Sequence, residues 1–341
     1  SENPANLLRD KYRVLHSSGS SGQIGYYLYS SGAWDFVKAL SLRMFEQFGW
    51  EQKRYAFIGA ADGHYAGISL FLSPVGQLEE WFYEDFLVLH INHPLEDYLE
   101  QLNQCQPTNL TGYPSGIKIL ADLHQEGKID IAPQTIVCGG EPLTKDQKSY
   151  IQATWGIEPV NNYSTSEGLM MGVGRPEFNG LYIFDDAHYL EIKEDKVLLT
   201  NLYNYAQPLI RYELSDILVP VADREAYWPF TQVREVIGRQ ESTLWFKGEE
   251  GQKEFIHPIL LVEFYVAGLE RFQVVQTSEQ SFTFRAVVAA EYESDSVKRK
   301  IKQELYQLLA EKNLTNINYT VKEVNRIDPD PDTGKYRLIK K

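Results

Sequence analysis

Cysteine is nearly missing from this chain: Cys105 and Cys138 are the two thiols in 341 residues. They form no framework and lack zinc-type spacing, which excludes a disulfide scaffold and a Cys-rich metal site and points to a reducing, cytoplasmic setting. Positive charge is also scarce, with 33 Lys and Arg against 47 Asp and Glu, a formal net charge of −14. No sustained basic run precedes "VKRKIK" (Val297 to Lys302), so neither nucleic acid nor an anionic membrane is an expected partner. No apolar run approaches the ~20 residues that a membrane-spanning helix needs, and no signal peptide opens the sequence. The sequence starts at Ser1 rather than methionine, as a processed chain, an expression product or a fragment does.

What is abundant is apolar and aromatic material, 43% and 13% of residues, enough for a large core and two unequal domains. The sequence also holds "HSSGSSGQIG" (His16 to Gly25), a loop with almost no side chains. A flexible linker has such a composition. Its flanks, "YRVL" and "IGYYLYS", are instead strand-like, rich in aromatic and β-branched residues. Backbone N–H groups and serine hydroxyls in such a loop can converge on a phosphate. No Gly-Lys-Ser/Thr ends it and a strand follows, so it is not a Walker loop.

Helical spacing of Trp34, Val37, Leu40, Met44, Phe45 and Phe48 predicts an amphipathic helix from Ser31 to about Phe48, with Ser30 or Ser31 near its cap. "YAFIGA", "FLVLHI" and "TIVCGG" read as apolar strands, with helices over Pro94 to Cys105, Ser115 to Glu126 and Thr144 to Trp155. Strands alternating with helices imply an α/β large domain, a mainly parallel sheet layered by helices. Past Asn179, "LYIFDD", "YLEIKED" and "KVLLTNLYN" read as an antiparallel, β-rich subdomain. A break near "GRQES" (Gly238 to Ser242) separates residues 1–238 from a small C-terminal α+β domain, 239–341, with a hairpin, a helix over Asp295 to Lys312 and the strand "INYTVKEV".

Four further stretches carry chemistry. "CGGEPLT" (Cys138 to Thr144) follows a strand and opens a helix, with Thr144 as cap; its glycines admit a ligand to the backbone, although a plain strand-to-helix turn reads the same way. "NNYSTSEG" (Asn161 to Gly168) sets Tyr163, hydroxyls and Glu167 at a strand end, the edge where open α/β sheets bind ligands. "PLIRYELSD" sets Arg211 and Asp216 after a strand, where an internal salt bridge is the plain alternative. "DPDPDTGKYR" puts Lys335 after a glycine in a polar, acidic tail of the kind that is often disordered.

In this order the stretches resemble the adenylate-forming superfamily of acyl-CoA synthetases, adenylation domains and luciferases, and most of all its phenylacetate-CoA ligase branch. "SSGSSGQIG" is similar to the family's phosphate loop, "GGEPLT" and "YSTSE" to its next two motifs, "RYELSD" to its Arg-Tyr-x-x-Gly-Asp motif, "GRQES" to its hinge and "TGKYR" to its Gly-Lys terminus. The resemblance implies that Ser17, Ser18, Gly19, Ser20, Ser21 and Gly22 grip the ATP phosphates. It implies that Gly139, Gly140 and Glu141 line the adenine pocket, that Tyr163 stacks on the base, and that Asp216 and Arg239 hold the nucleotide. Ser166 would contact phosphate, Glu167 would ligate Mg²⁺, and Lys335 would bridge the acid and the α-phosphate. The implied activity is ATP-dependent formation of an acyl-adenylate, followed by transfer to the thiol of coenzyme A or a phosphopantetheine arm. The implied partners are a small carboxylic acid, an acyl-carrier protein where that supplies the thiol, and a second copy in a homodimer.

Several positions depart from the pattern. Gln23 stands where the loop usually has lysine, Ser164 and Ser215 replace glycines, and Glu241 replaces the hinge aspartate. The stretch "WFKGEEGQKEFIHP" (Trp245 to Pro258) is longer and more acidic than the loop that lines the pantetheine path in relatives, and an upstream subdomain is expected to be missing. By position, His64, Tyr65, Tyr113, Met170 and Met171 surround the acid, a lining suited to an aromatic or medium apolar substrate, although such side chains are also ordinary packing material. The alternatives are an adenylyltransferase that stops at the AMP adduct and a non-catalytic nucleotide-binding relative.

Overall fold

The computed structural model describes residues 11–17, 25–45, 53–61, 64–71, 83–91, 93–193, 196–214, 216–221, 227–237, 244–249, 251–262, 264–328 and 337–340. The chain divides into two compact units, one of Ser1–Ser17, Ile24–Ile91 and Tyr98–Gln240, the other of Ser18–Gln23, Asn92–Asp97 and Glu241–Lys341.

The first unit opens with an antiparallel hairpin, β1 (Tyr12–His16) and β2 (Tyr26–Ser30), in which His16 pairs with Tyr26. Helix α1 (Ser31–Phe45) follows without a break, its start held by the Ser30 hydroxyl, which accepts from the Ala33 N–H at 3.2 Å. Its buried stripe, Ala33, Trp34, Val37 and Leu40, shares one core cluster with Leu15, Tyr27 and Tyr29 of the hairpin. Alternating apolar residues on β2 and helical spacing on α1 thus bury the same face.

The chain then alternates: β3 (Lys53–Gly59), α2 (Ala66–Phe71), β4 (Tyr83–His90), α3 (Glu96–Cys105), β5 (Asn109–Gly112), α4 (Pro114–Gln125), β6 (Thr135–Gly139), α5 (Lys145–Trp155) and β7 (Val160–Thr165). These strands pair in parallel in the order β4-β3-β5-β6-β7. Helix α5 carries both terminal signals, a capping box between Thr144 and Gln147 and a left-handed Gly156 at its end. Strand β5, "NLTG", is not marked by the sequence pattern, because its four residues include Asn, Thr and Gly. It is a strand because it fills the slot between β3 and β6, with all four residues buried. Its end demands glycine: Gly112 has φ 143°, and a Cβ there would lie 2.0 Å from the Ile58 carbonyl oxygen.

Beyond β7 the sheet turns antiparallel with β8 (Leu169–Gly174) and β9 (Leu181–Ile183). Strands β10 (His188–Ile192), β11 (Val197–Asn201) and β12 (Tyr212–Leu214) form a separate three-stranded sheet. Strands β13 (Ile217–Pro220) and β14 (Gln232–Ile237) return to the main one, completing the order β13-β14-β9-β8-β7-β6-β5-β3-β4 among the described residues. The β-rich stretch past Asn179 is therefore shared between two sheets.

The second unit holds a hairpin, β15 (Leu244–Lys247) with β16 (Lys253–Ile256), then the short α6 (Pro258–Val262). Strands β17 (Leu269–Ser278) and β18 (Ser281–Val288), helix α7 (Ser294–Glu311), β19 (Asn318–Glu323) and β20 (Ile339–Lys340) follow, the sheet running β19-β18-β17-β20. Val297, Ile301, Leu305 and Leu309 recur every fourth residue on α7 and join Val274, Phe282 and Phe284 of the sheet in one core. The acidic stretch after Trp245 is thus hairpin rather than open loop. Inside this unit Lys312 is buried, its Nζ 3.0 Å from Glu254 Oε1, 2.6 Å from the His93 carbonyl oxygen and over the Phe255 ring. Glu254 also accepts from the Leu95 and Phe255 N–H groups, each at 2.8 Å, so every charge in the pair is satisfied.

Candidate functional site

Parallel strands end together at the edge where α/β sheets bind ligands, and here that edge is lined with small residues. Gly59 ends β3, Gly112 ends β5 and Gly139 ends β6, followed by Gly140 at φ 78°. The Tyr113 ring occupies the room so released: a Cβ on Gly140 would be 2.7 Å from its Cε1 and one on Gly59 3.5 Å from its Cζ. Glu141 lies at the start of α4, its Oε2 accepting from the Ser115 hydroxyl at 2.7 Å and the Ser115 N–H at 3.3 Å, a carboxylate at the positive end of a helix. Asn162 of β7 sits beside Gly139, with its buried Oδ1 taking no hydrogen bond among the described residues.

The backbone of the turn after β7 is held by side chains at every carbonyl from Ser166 to Gly168. Tyr29 donates its hydroxyl to the Ser166 carbonyl at 2.7 Å, Asn201 donates to the Glu167 carbonyl at 3.3 Å, and the Gly168 carbonyl takes His188 Nε2 at 2.7 Å and the Tyr203 hydroxyl at 2.9 Å. The Gly168 N–H donates back to the Thr165 hydroxyl at 3.1 Å. Burial drives the His188 imidazole down to about 4, so it is neutral and serves as a donor to Gly168. The Glu167 side chain is fixed too, with its Oε1 2.7 Å from the Tyr27 hydroxyl. Burial, then Tyr212 and Glu167, push the Tyr27 phenol far above its ordinary range, so it remains a donor.

The same turn reaches the neck of the Ser/Gly loop. Ser166 Oγ donates to the His16 carbonyl at 3.3 Å. Across the neck the Ser17 N–H donates to the Gly25 carbonyl at 2.8 Å, and the Gly25 N–H donates to Ser17 Oγ at 2.9 Å. His16 adds a staple: its Nε2 accepts from the His64 N–H at 3.3 Å, its own N–H donates to the His64 carbonyl at 3.1 Å, and its ring packs edge-on to Tyr65 at 4.5 Å. Burial, then His16, hold the His64 imidazole below its ordinary value.

On the other side of β7, Tyr163 donates its hydroxyl to Asp216 Oδ2 at 3.1 Å. Burial, then the Asp216 charge, raise the Tyr163 phenol well above its ordinary value. Arg211 does not pair with Asp216; it makes a two-pronged contact with Glu191, at 2.7 and 3.2 Å, on the surface.

The structure therefore brings Ser17, Ser166 and Glu167 into one bonded constellation, with Tyr163 and Asp216 as a second pair and Gly139, Gly140, Glu141 and Tyr113 as a third group. His64 and Tyr65 adjoin the loop neck, Tyr65 being buried. Met170 and Met171 are buried in separate core clusters. Ser18, Gly19, Ser20, Ser21, Gly22, Arg239, Glu241 and Lys335 lie outside the described residues. The sequence reading missed Tyr27, Tyr29, His188, Asn201 and Tyr203, whose signal is an alternation of tyrosines on β2 and polar residues inside apolar strands.

Three of the five parallel strands end in glycine and a held Ser-Glu-Gly turn follows β7; the fold is that of adenylate-forming ligases of known structure. No family model matches the chain. It is 24% identical over 255 residues to Protein CapK of Staphylococcus aureus, covering 72% of this chain and 55% of that protein. It is also 24% identical over 273 residues to a phenylacetate-coenzyme A ligase of Aromatoleum evansii, covering 70% of this chain and 57% of the relative. The chain spans just over half the length of these curated relatives. Among solved structures, 2-hydroxyisobutyryl-CoA ligase with 2-HIB-AMP and CoA in the thioesterification state superimposes with a TM-score of 0.62, at 16% identity, over 97% of this chain and 73% of that one. These likenesses all point to the adenylate-forming acyl-CoA ligase superfamily.

Proposed function

We propose that the chain activates a carboxylic acid with ATP and passes the acyl group to a thiol. A carboxylate oxygen attacks the α-phosphorus, the bond from that phosphorus to the pyrophosphate oxygen breaks, and an acyl-adenylate remains. A thiolate then attacks the acyl carbon and AMP leaves. The observation that carries this reading is the turn at Ser166 to Gly168, each of whose carbonyls is held by a buried side chain, beside the closed neck of the phosphate loop. Both reactants are anions, so the site's task is to hold them in line and oppose their repulsion. No general base is needed, because the nucleophile is already ionised.

Ser17 to Gly22 and Ser166 are assigned to the phosphates, Gly139, Gly140, Glu141 and Tyr163 to the adenine, Asp216 and Arg239 to the rest of the nucleotide, and Lys335 to the reacting carboxylate and α-phosphate. A magnesium ion fits the donor set. No group of three His, Cys, Asp or Glu among the described residues forms a closed cage, and Mg²⁺ characteristically takes one or two carboxylates and completes its shell with phosphate oxygens. Glu167 would hold it, and when bound it neutralises phosphate charge. The likeness to a phenylacetate-coenzyme A ligase supports an aryl acid, for which Tyr113, His64 and Tyr65 are the lining, and coenzyme A as the thiol. Residues 1–238 are assigned to ATP and acid binding, and 239–341, with Glu241 at the hinge, to the part that carries Lys335.

ATP–pyrophosphate exchange across a panel of aryl, fatty and hydroxy acids tests this. Exchange stimulated by one acid class and abolished in Lys335→Ala is the expected result; ATP binding without exchange for any acid overturns the catalytic reading.

A further inference from the structure

Strand β2 leaves the phosphate loop and immediately presents two tyrosines to one side, Tyr27 and Tyr29, both buried in the same core. Tyr29 holds the backbone of the candidate turn, whereas Tyr27 holds its charge. Tyr27 has a single proton, and at 2.7 Å from Glu167 Oε1 that proton is directed to the carboxylate. The Tyr212 hydroxyl, 3.0 Å from the Tyr27 hydroxyl, must therefore be the donor of that second bond, giving a chain Tyr212 to Tyr27 to Glu167. The two rings meet edge-on at 6.4 Å, so the chain is braced by packing as well.

We infer that Tyr27 is a positioning residue which, with Tyr212 behind it, fixes the Glu167 carboxylate so that its other oxygen is set to receive the cation that accompanies the ATP phosphates. The inference rests on the reading of this site as an ATP site. Hydrogen bonds to an ion are stronger than neutral ones, and a second donor in line strengthens the first. A carboxylate held on one oxygen by a buried phenol loses little further freedom when the metal arrives, which lowers the entropic cost of binding. The strand that carries Tyr27 begins one residue after Gly25, whose bonds to Ser17 close the loop neck. One stiff element therefore sets the spacing between the Ser17–Gly25 neck and the carboxylate.

The test is calorimetric titration of ATP into the full chain at a series of Mg²⁺ concentrations and in EDTA. Tyr27→Phe should raise the Mg²⁺ concentration for half-maximal strengthening of ATP binding by about tenfold, the effect of losing one hydrogen bond to a charged group, and leave affinity in EDTA unchanged. Glu167→Gln should show at least that loss, and Tyr27→Phe should add nothing in its presence, since both act through one carboxylate. A merely structural role would weaken binding in EDTA as well, or add fully to Glu167→Gln, and either result overturns the proposal. If Tyr27→Phe does not fold, Tyr212→Phe takes its place: a smaller shift in the same direction supports the chain of hydroxyls, and none refutes it. A wild-type chain that binds no ATP overturns both this inference and the proposed function. Mg²⁺-dependent binding that ignores Tyr27 overturns this inference alone.

Discussion

His188 offers the sharpest link between burial and behaviour. It is fully buried, donates Nε2–H to the Gly168 carbonyl, and has no hydrogen-bond partner on Nδ1 among the described residues. Burial outweighs the opposing pull of the Gly168 and Phe184 carbonyls and of Asp186, so a second proton on the ring is disfavoured. The folded chain thus takes up this proton only at about pH 4, against an ordinary value of 6.5. The unfolded chain is protonated first as pH falls, so the native state has its full stability above pH 6.5 and loses it progressively down to pH 4. The loss is about 2 kcal/mol by pH 5 and about 3 kcal/mol at pH 4, then flat. His188→Gln keeps an N–H for Gly168 and cannot titrate. Hydrogen exchange across the β10–β11 pair, where Leu190 faces Leu199, reads the difference between wild type and variant as a function of pH. The other acid-sensitive groups nearby, such as Asp186 held low by Arg43, titrate in both proteins and cancel. An identical pH dependence in the two proteins would refute the reasoning.

Other outcomes follow from single contacts. Gly112→Ala places a Cβ on the Ile58 carbonyl and should abolish a soluble first unit, checked by expression and circular dichroism; a well-folded variant would contradict the observed turn. Lys312→Met leaves Glu254 buried and unpaired and should destabilise the second unit by about 3–5 kcal/mol in a denaturant melt, whereas adding Glu254→Gln should recover part of that. Arg211→Lys breaks the two-pronged contact with Glu191 on the surface and should leave the melting temperature unchanged. Asp216→Asn weakens the acceptor of the Tyr163 hydroxyl and, on the proposed function, should raise KM for ATP more than it lowers kcat, measured by pyrophosphate exchange.

Most of the alternation of strands and helices from Tyr55 to Trp155 was legible because those elements have their own apolar period. The motifs were legible because glycines, hydroxyls and carboxylates cluster at strand ends. Thr144 and Gln147 announce α5 by local hydrogen bonds alone, within one turn of chain. Strand β5 was not legible, since "NLTG" has no strand signal and is held by its neighbours on either side. Nor were Tyr27 and Tyr29, which lie 140 and 137 residues from the carboxylate and carbonyl they hold, or His188 of the smaller sheet and Tyr203 just past its strand β11, which both reach Gly168. Local pattern is set by energies between residues a few positions apart, and the sequence by itself determined most of the strands and helices of the first unit. Which buried hydroxyl meets which carbonyl depends on sheet order and register, and only the tertiary structure, by closing those long loops, decided what holds Glu167 in place.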